Sequence, residues 1–455
     1  MLTNLRQLCY ISLLTITVNM SAFAENPADN SKVLTIQHWQ TNNNANVYFV
    51  NLPELPIIDI DVIFNAGSAY DDKKYGLANL TNTMIGQSAR QLSADQIAEN
   101  FDNVAADFDV SAHRDSATIH LRSLTKPELL QPALKTFTTV VAEPSFDSKS
   151  FKRVKNQTLQ AILQEEQTPS AIADNLFFNA VYNGYPYAHP TIGDTNTVKK
   201  LTPEDLLAFY KKYYVGSNTT IVIVGDVTHI QAEQIANQIT KKMPKGKPIA
   251  KLTTPSYQPK QKIIHGDYPA SQTYIRMGQL GISRNNKDYF PLYVGNYILG
   301  GGVLVSRLFK EVRETKGLTY NVYSYFLPMK QKGPFLVSLQ TRTNVTNQAI
   351  SLIKQQVQDF NNKGPSATEL TAAKQNIIGG FPLLLDSNEA ILSQVANIAF
   401  YGLPLTYLDT YRDNINNVSI DDIKNAFNQY VNVNDMVVVT VGRELASNEK
   451  PKKSS

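Results

Sequence analysis

Residues 201–225, LTPEDLLAFYKKYYVGSNTTIVIVG, align without a gap to residues 418–442, VSIDDIKNAFNQYVNVNDMVVVTVG. Thr202 falls on Ser419, Asp205 on Asp422, Tyr213 on Tyr430 and Gly225 on Gly442. Self-similarity of this kind constrains the fold more than composition does, because one supersecondary unit must be built twice. Each copy reads as a hydroxyl N-cap with an acid three residues on, then an amphipathic helix. A short loop and a β-branched run follow, TTIVIV and MVVVTV, the signature of a strand buried on both faces. A weaker echo pairs YGLANLTNTMIG (75–86) with YFPLYVGNYILG (289–300). Between the copies, 244–262 holds four Pro and five Lys and reads as a linker. The expected fold class is α+β: two homologous halves, 35–243 and 263–445, each an antiparallel-rich sheet packed with helices.

Local patterns agree. DIDVIF (59–64) alternates as a strand, and 107–123 reads as a hairpin. Ser93-x-x-Gln96 and Ser366-x-x-Glu369 are capping boxes that open helices. Leu304, Leu308 and Val312 fall at i, i+4 and i+8, one helix face. Residues 25–34 are polar and read as loose, and the tail 446–455 as disordered.

Residues 1–24 are expected to be a signal peptide. Arg6 precedes an apolar run from Leu8 to Val18, and Ser21-Ala22-Phe23-Ala24 supplies the cleavage pattern before Glu25. The run is shorter than the roughly 20 residues that cross a bilayer, and no later segment is long and apolar enough, so no membrane span is expected after cleavage. The single cysteine, Cys9, leaves with this segment. The mature chain is then indifferent to an oxidising compartment.

A chain that is 42% hydrophobic has ample material for packed cores, which excludes wholesale disorder. A net charge of +4 with no basic stripe argues against a nucleic-acid partner. The six histidines, at 38, 113, 120, 189, 229 and 265, show neither HxxxH nor HxxH spacing. GxSxG and HExxH are absent, and Gly300–Gly302 lacks the Lys-Ser/Thr of a phosphate loop. On motifs alone the chain is not an autonomous enzyme.

LGGGVLVSRLFKEVRETKGLTYNVYSYF (299–326) resembles the C-terminal half of the insulinase/pitrilysin zinc peptidases, which use an inverted HxxEH motif. VIFNAGSAYDDKKYGLANLTNTM (62–84) resembles the start of the same family, and the likeness spans about residues 35–445. It implies a clam-like shell of two halves. The departure is as informative as the match. Where catalytic members carry the two His ligands, this chain has Asn79 and Thr83; where they carry the general base, it has Asn82; the distal Glu ligand falls on Ala161. An amide, a hydroxyl and a methyl do not make a zinc site, so no metal is expected in this chain.

The family's Arg and Tyr, seven residues apart, are matched by Arg313 and Tyr320. The resemblance implies that the Arg holds a substrate carbonyl and the Tyr donates to the developing oxyanion. Gly300, Gly301 and Gly302 sit where a substrate-contacting glycine-rich loop begins in the family; a turn before a helix accounts for them equally well. The reading is a non-catalytic subunit of an exported zinc endopeptidase, expected in the periplasm of a two-membrane cell. It would be inactive alone and would lend Arg313 and Tyr320 to a homologous HxxEH partner that holds the zinc, in a heterodimer that takes unfolded peptides. The alternatives are a stand-alone pseudopeptidase that binds peptides or scaffolds an assembly, and a peptidase with an unrecognised metal site.

Overall fold

The structure is a computed structural model that describes residues 32–256 and 262–444. The expected signal peptide and the tail 446–455 lie outside the described residues. In the first half, β1 (Gln37–Gln40), β2 (Asn46–Asn51) and β3 (Ile57–Phe64) lead into α1 (Leu77–Met84). A small pair follows, β4 (Ser88–Ala89) and β5 (Leu92–Ser93), then α2 (Ala94–Asp102). The expected hairpin is β6 (Asp107–Ala112) and β7 (Ala117–Leu124). After it come α3 (Pro127–Ala142), α4 (Ser148–Glu166), α5 (Pro169–Val181), the single turn α6 (Thr195–Val198), α7 (Pro203–Tyr213), β8 (Thr219–Gly225) and α8 (His229–Thr240).

The second half opens with β9 (Lys262–Asp267), β10 (Gln272–Leu280) and α9 (Tyr289–Asn296), then β11 (Thr319–Phe326) and β12 (Pro334–Arg342). Five helices follow: α10 (Thr346–Lys363), α11 (Ala367–Gly380), α12 (Asn388–Tyr401), α13 (Tyr411–Asn416) and α14 (Ile420–Tyr430). β13 (Val437–Gly442) closes the half.

The two sheets have one plan. The first runs β1-β2-β8-β3-β7-β6 and the second β11-β12-β10-β13-β9. In the first, β2 is parallel to β8, while β8–β3, β3–β7 and β7–β6 are antiparallel. In the second, β9 is parallel to β13, while β13–β10, β10–β12 and β12–β11 are antiparallel. Strand for strand, β2, β8, β3, β7 and β6 therefore correspond to β9, β13, β10, β12 and β11. The repeat read from 201–225 and 418–442 is α7–β8 and α14–β13. Both capping boxes form, Thr202 with Asp205 and Ser419 with Asp422, as do those at Ser93 and Ser366.

The β-branched strands are buried along their whole length, and the two faces meet different halves. Ile221 and Ile223 enter the core of their own half. Val222 and Val224 point the other way, with Val50 and Ile63, onto Ile391, Leu392 and Val395 of α12 from the second half. On β13, Val438 serves its own core, whereas Val437, Val439 and Val441 meet Ala173, Phe177 and Val181 of α5 from the first half. Each half thus covers the other's sheet with one helix. Arg276 on β10, itself buried, fixes the α5 contact by a two-pronged bond to Asp174 at 2.6 and 3.2 Å.

Two local expectations are corrected. Val33 and Leu34 are not loose: both pack against the second core, and the Val33 amide donates to Asp409 at 2.7 Å. Leu304 does not continue the face of Leu308 and Val312. Those two are buried, but Leu304 stands 61% exposed with φ of 66°, in a turn before the helix starts. The described part of 244–256 runs along the junction of the halves. Ser217 donates to the Lys245 carbonyl, Tyr185 to that of Thr253 and Gln331 to that of Leu252.

Since neither sheet has both faces covered by its own half, the described body should unfold in a single calorimetric transition. Leu392→Ala should cost about 2–4 kcal/mol and move that whole transition; a separate, unmoved transition would show that the halves are independent.

Candidate functional site

The helix that aligns with the zinc motif is α1. Its start is held by Asp71, whose two carboxyl oxygens accept the Gly76 and Ala78 amides, each at 2.7 Å. Gly76 takes φ of 90°, which a residue with a side chain rarely adopts. Burial raises the Asp71 carboxyl to about 8, opposed by those two amide bonds.

Asn79 and Thr83 lie one turn apart on the half-exposed side of α1. The Thr83 hydroxyl donates back to the Asn79 carbonyl at 2.9 Å. Asn82, at the position of the base, is 1% exposed and fully engaged. Its amide nitrogen donates to the carbonyls of Ser111 (2.7 Å, β6) and Thr118 (3.2 Å, β7), and its amide oxygen accepts the Tyr214 hydroxyl at 2.9 Å. Ala161 is half-buried on α4 and offers a methyl group. These donors do not fit zinc: no anion or imidazole is present, and the Asn82 amide is turned into the sheet. Among the described residues no group of three or more His, Cys, Asp or Glu could hold a metal ion.

The echo between 75–86 and 289–300 has a structural meaning here. It places Asn82 on Asn296, the last residue of α9. Asn296 is buried, donates to the Ser324 carbonyl of β11 at 2.9 Å, and accepts the Ser324 hydroxyl at 2.7 Å. Since β6 and β11 correspond, both halves tie this helix to the outer strand of the sheet with an asparagine.

Arg313 and Tyr320 meet. Residues Phe309–Thr315 form a π-helical turn that ends at Gly317, whose φ of 58° lets the chain reverse into β11. The Arg313 guanidinium lies between two rings, 4.6 Å from the centre of Phe309 and 4.8 Å from that of Tyr320. Phe309 is buried, while Tyr320 is 76% exposed. The head of this segment is anchored by Arg307, which grips Glu369 through two bonds of 2.7 Å. That pairing is the main reason the Glu369 carboxyl falls to about 2. Phe309 carries a role that the sequence reading missed; its only signal there was an aromatic one turn before Arg313.

Gly300, Gly301 and Gly302 close a second π-helical turn, Tyr297–Gly301, stacked on β11. A Cβ on Gly300 would stand 2.3 Å from the Ser324 hydroxyl, and one on Gly302 would stand 2.9 Å from the Tyr297 carbonyl. A Cβ on Gly301 would stand 2.7 Å from the Asn296 amide nitrogen, so packing accounts for all three glycines. The surface beside them is apolar: Val303 is 82% exposed and Val305 64%, flanking Leu304.

Comparison with known proteins agrees with this geometry. Residues 47–195 match the insulinase family (peptidase family M16), and residues 200–377 match the peptidase M16 inactive domain. A Helicobacter pylori protein named non-peptidase homolog YmxG is 25% identical over 393 residues, covering 86% of this chain and 90% of that one. The Bacillus subtilis uncharacterized zinc protease YmxG is 23% identical over 360 residues, covering 79% and 87%. The crystal structure of a peptidase M16 inactive domain from Pseudomonas fluorescens superposes with a TM-score of 0.88 at 38% identity, covering 91% of this chain and all of that one. A Helicobacter pylori protease structure superposes at 0.82 with 19% identity, which speaks to the fold.

Asn82→Ala should destabilise the chain by about 2–3 kcal/mol, because it leaves buried carbonyl and hydroxyl groups unpaired. Asn82→Glu should cost more, about 3–5 kcal/mol, because it sets a carboxylate against two carbonyls. Asn296→Ala should resemble Asn82→Ala. Urea unfolding measures all three; an Asn82→Glu chain as stable as the parent would refute the bracket.

Proposed function

The chain belongs to the insulinase family, peptidase M16, and from that premise we propose that it is the non-catalytic subunit of an exported zinc endopeptidase. One observation carries the reading. Where the family's base would act, Asn82 is locked into the fold, whereas the half-buried Arg313 stacks on an exposed Tyr320 whose hydroxyl is bonded by nothing among the described residues. A homologous HxxEH partner, the two forming a heterodimer, would hold the zinc and the base.

This chain's residues would act on the peptide. The Arg313 fork, kept planar between Phe309 and Tyr320, is suited to hold a backbone carbonyl through paired N–H groups. The Tyr320 hydroxyl can donate to the oxygen on which negative charge develops, a contact whose loss typically costs about 100–1000-fold. Glycine at 301, the exposed member of its run, and the apolar Val303–Val305 would border the same peptide. That apolar border also supports a second reading, a pseudopeptidase that captures unfolded peptides without a catalytic partner. Export, and periplasmic placement in a two-membrane cell, rests on residues 1–24.

The test is reconstitution of the mature chain with an HxxEH homologue from the same cell. Arg313→Ala and Tyr320→Phe should each lower kcat/KM of the pair by about 100-fold, with unfolding midpoints unchanged. Unchanged activity in both would exclude the split site. In the same assay Phe309→Leu should cost about fivefold, the equivalent of ~1 kcal/mol of ring–cation stacking. Phe309→Trp should recover it, whereas a merely structural Phe309 would leave kcat/KM of the folded variant untouched.

A further inference from the structure

A second site lies away from Arg313, in a cleft of about 520 Å³ where both halves and the 244–256 strap meet. Its walls come from the end of β3, the start of β8, the strap, the Met329–Gln331 turn and the C-terminus of α12. Three cations line it, Lys251, Arg284 and Lys330, and no lining residue is a carboxylate.

An acid outside the lining, Asp115, acts on Lys330. It is buried, accepts the Tyr187 hydroxyl and the Lys330 amide (2.9 Å), and its charge offsets part of that of Lys330. The Lys330 ammonium donates to the Asn65 side-chain oxygen and sits 3.7 Å over the Phe400 ring. Burial, with a further push from Lys251 and against the pull of Asp115, brings its amine down to about 8. Two ammonium groups thus face one cleft with no carboxylate between them. Arg284 is held rigid, stacked 4.1 Å over Tyr289 and donating to the Tyr407 hydroxyl at 2.9 Å.

The end of α12 explains part of this charge but not all of it. A helix C-terminus carries the equivalent of about half a negative charge, and here some of its carbonyls are already paired. Asn285 donates to the Tyr401 carbonyl at 2.8 Å, and the Leu403 amide donates to that of Ile398 at 2.9 Å. Three cations exceed that need even with Asp115 set against Lys330. The Ser217 hydroxyl is buried there without a partner. The remaining wall is apolar, with Ile249, Leu252, Met329 and Phe400. The volume falls in the range of small-molecule pockets and is larger than one oxyanion fills.

We propose that this cleft binds a small molecule with one oxyanion head and an apolar body, the head among Lys251, Lys330 and Ser217. Because its walls belong to both halves and the strap, the occupant would tie them together. The proposal is independent of the Arg313–Tyr320 reading.

Calorimetric titration of the mature chain with N-acetyl-leucine, N-acetyl-leucinamide and inorganic phosphate tests it. The acid should bind one to one and raise the unfolding midpoint, and the neutral amide should bind at least tenfold more weakly. Phosphate binding at the same site without the acid would retain the oxyanion and remove the apolar body. Lys330→Met and Lys251→Met should each weaken binding at least tenfold. Lys251 lies on the exposed strap, so its variant reports even where Lys330→Met fails to fold. Equal binding of acid and amide, no binding of either anion, or full binding by the folded Lys251→Met chain would overturn the proposal.

Discussion

The structure depends on the exchange of two helices. A sheet whose central strands are apolar on both faces needs two covering layers, and each half of this chain supplies only the outer one for itself. α12 covers the first sheet and α5 the second, so neither half can satisfy its own sheet. The run of Val and Ile in β8 and β13 is the sequence consequence. Alternate residues face different halves, and a polar residue on either face would lose a partner. The ion pair between Arg276 and Asp174 is subordinate to that apolar contact. It fixes where α5 lies, whereas the burial of Val and Phe side chains supplies the driving force.

The helix after the second strand of each core packs against an outer strand: α1 against β6, and α9 with its π-helical turn against β11. Such strand ends expose carbonyl groups that must be paired. Asn82 and Asn296 meet this demand in the same manner. An asparagine has both a donor and an acceptor and carries no charge, so it can be buried at such a joint at lower cost than a carboxylate.

Much of this was legible because it is local. Capping boxes need side chains three residues apart, the hairpin needs two alternating runs and a turn, and the repeat is a matter of direct alignment. Each was read at the right residues. What escaped depends on contacts distant in sequence. Nothing in α5 or α12 says whose sheet it will cover, since an apolar helix face fits either. Leu304 keeps the helical spacing of Leu308 and Val312, but the glycine run ahead of it ends in a turn, so the helix begins later. Nothing in the sequence distinguishes Phe309 from a core aromatic, since its contact with Arg313 depends on how the turn is wound. The cleft lined by Lys251, Arg284 and Lys330 draws on segments from both halves and could not be read from any one of them.

The correspondence of Asn82 with Asn296 bears on what kind of departure from the zinc peptidases this chain is. Loss of the base by random substitution would leave a polar residue stranded beneath the sheet, with unpaired groups as its trace. Here the side chain at the base position makes three good hydrogen bonds, and its counterpart in the other half makes the same kind of bond to the equivalent strand. Both halves therefore share the same joint. A carboxylate restored at Asn82 would have to displace these structural bonds before it could act as a base, and Asn79, Thr83 and Ala161 would still leave no metal for it to work beside. The position of the base is thus part of the scaffold, held by the same kind of bonds that hold the rest of the sheet rim.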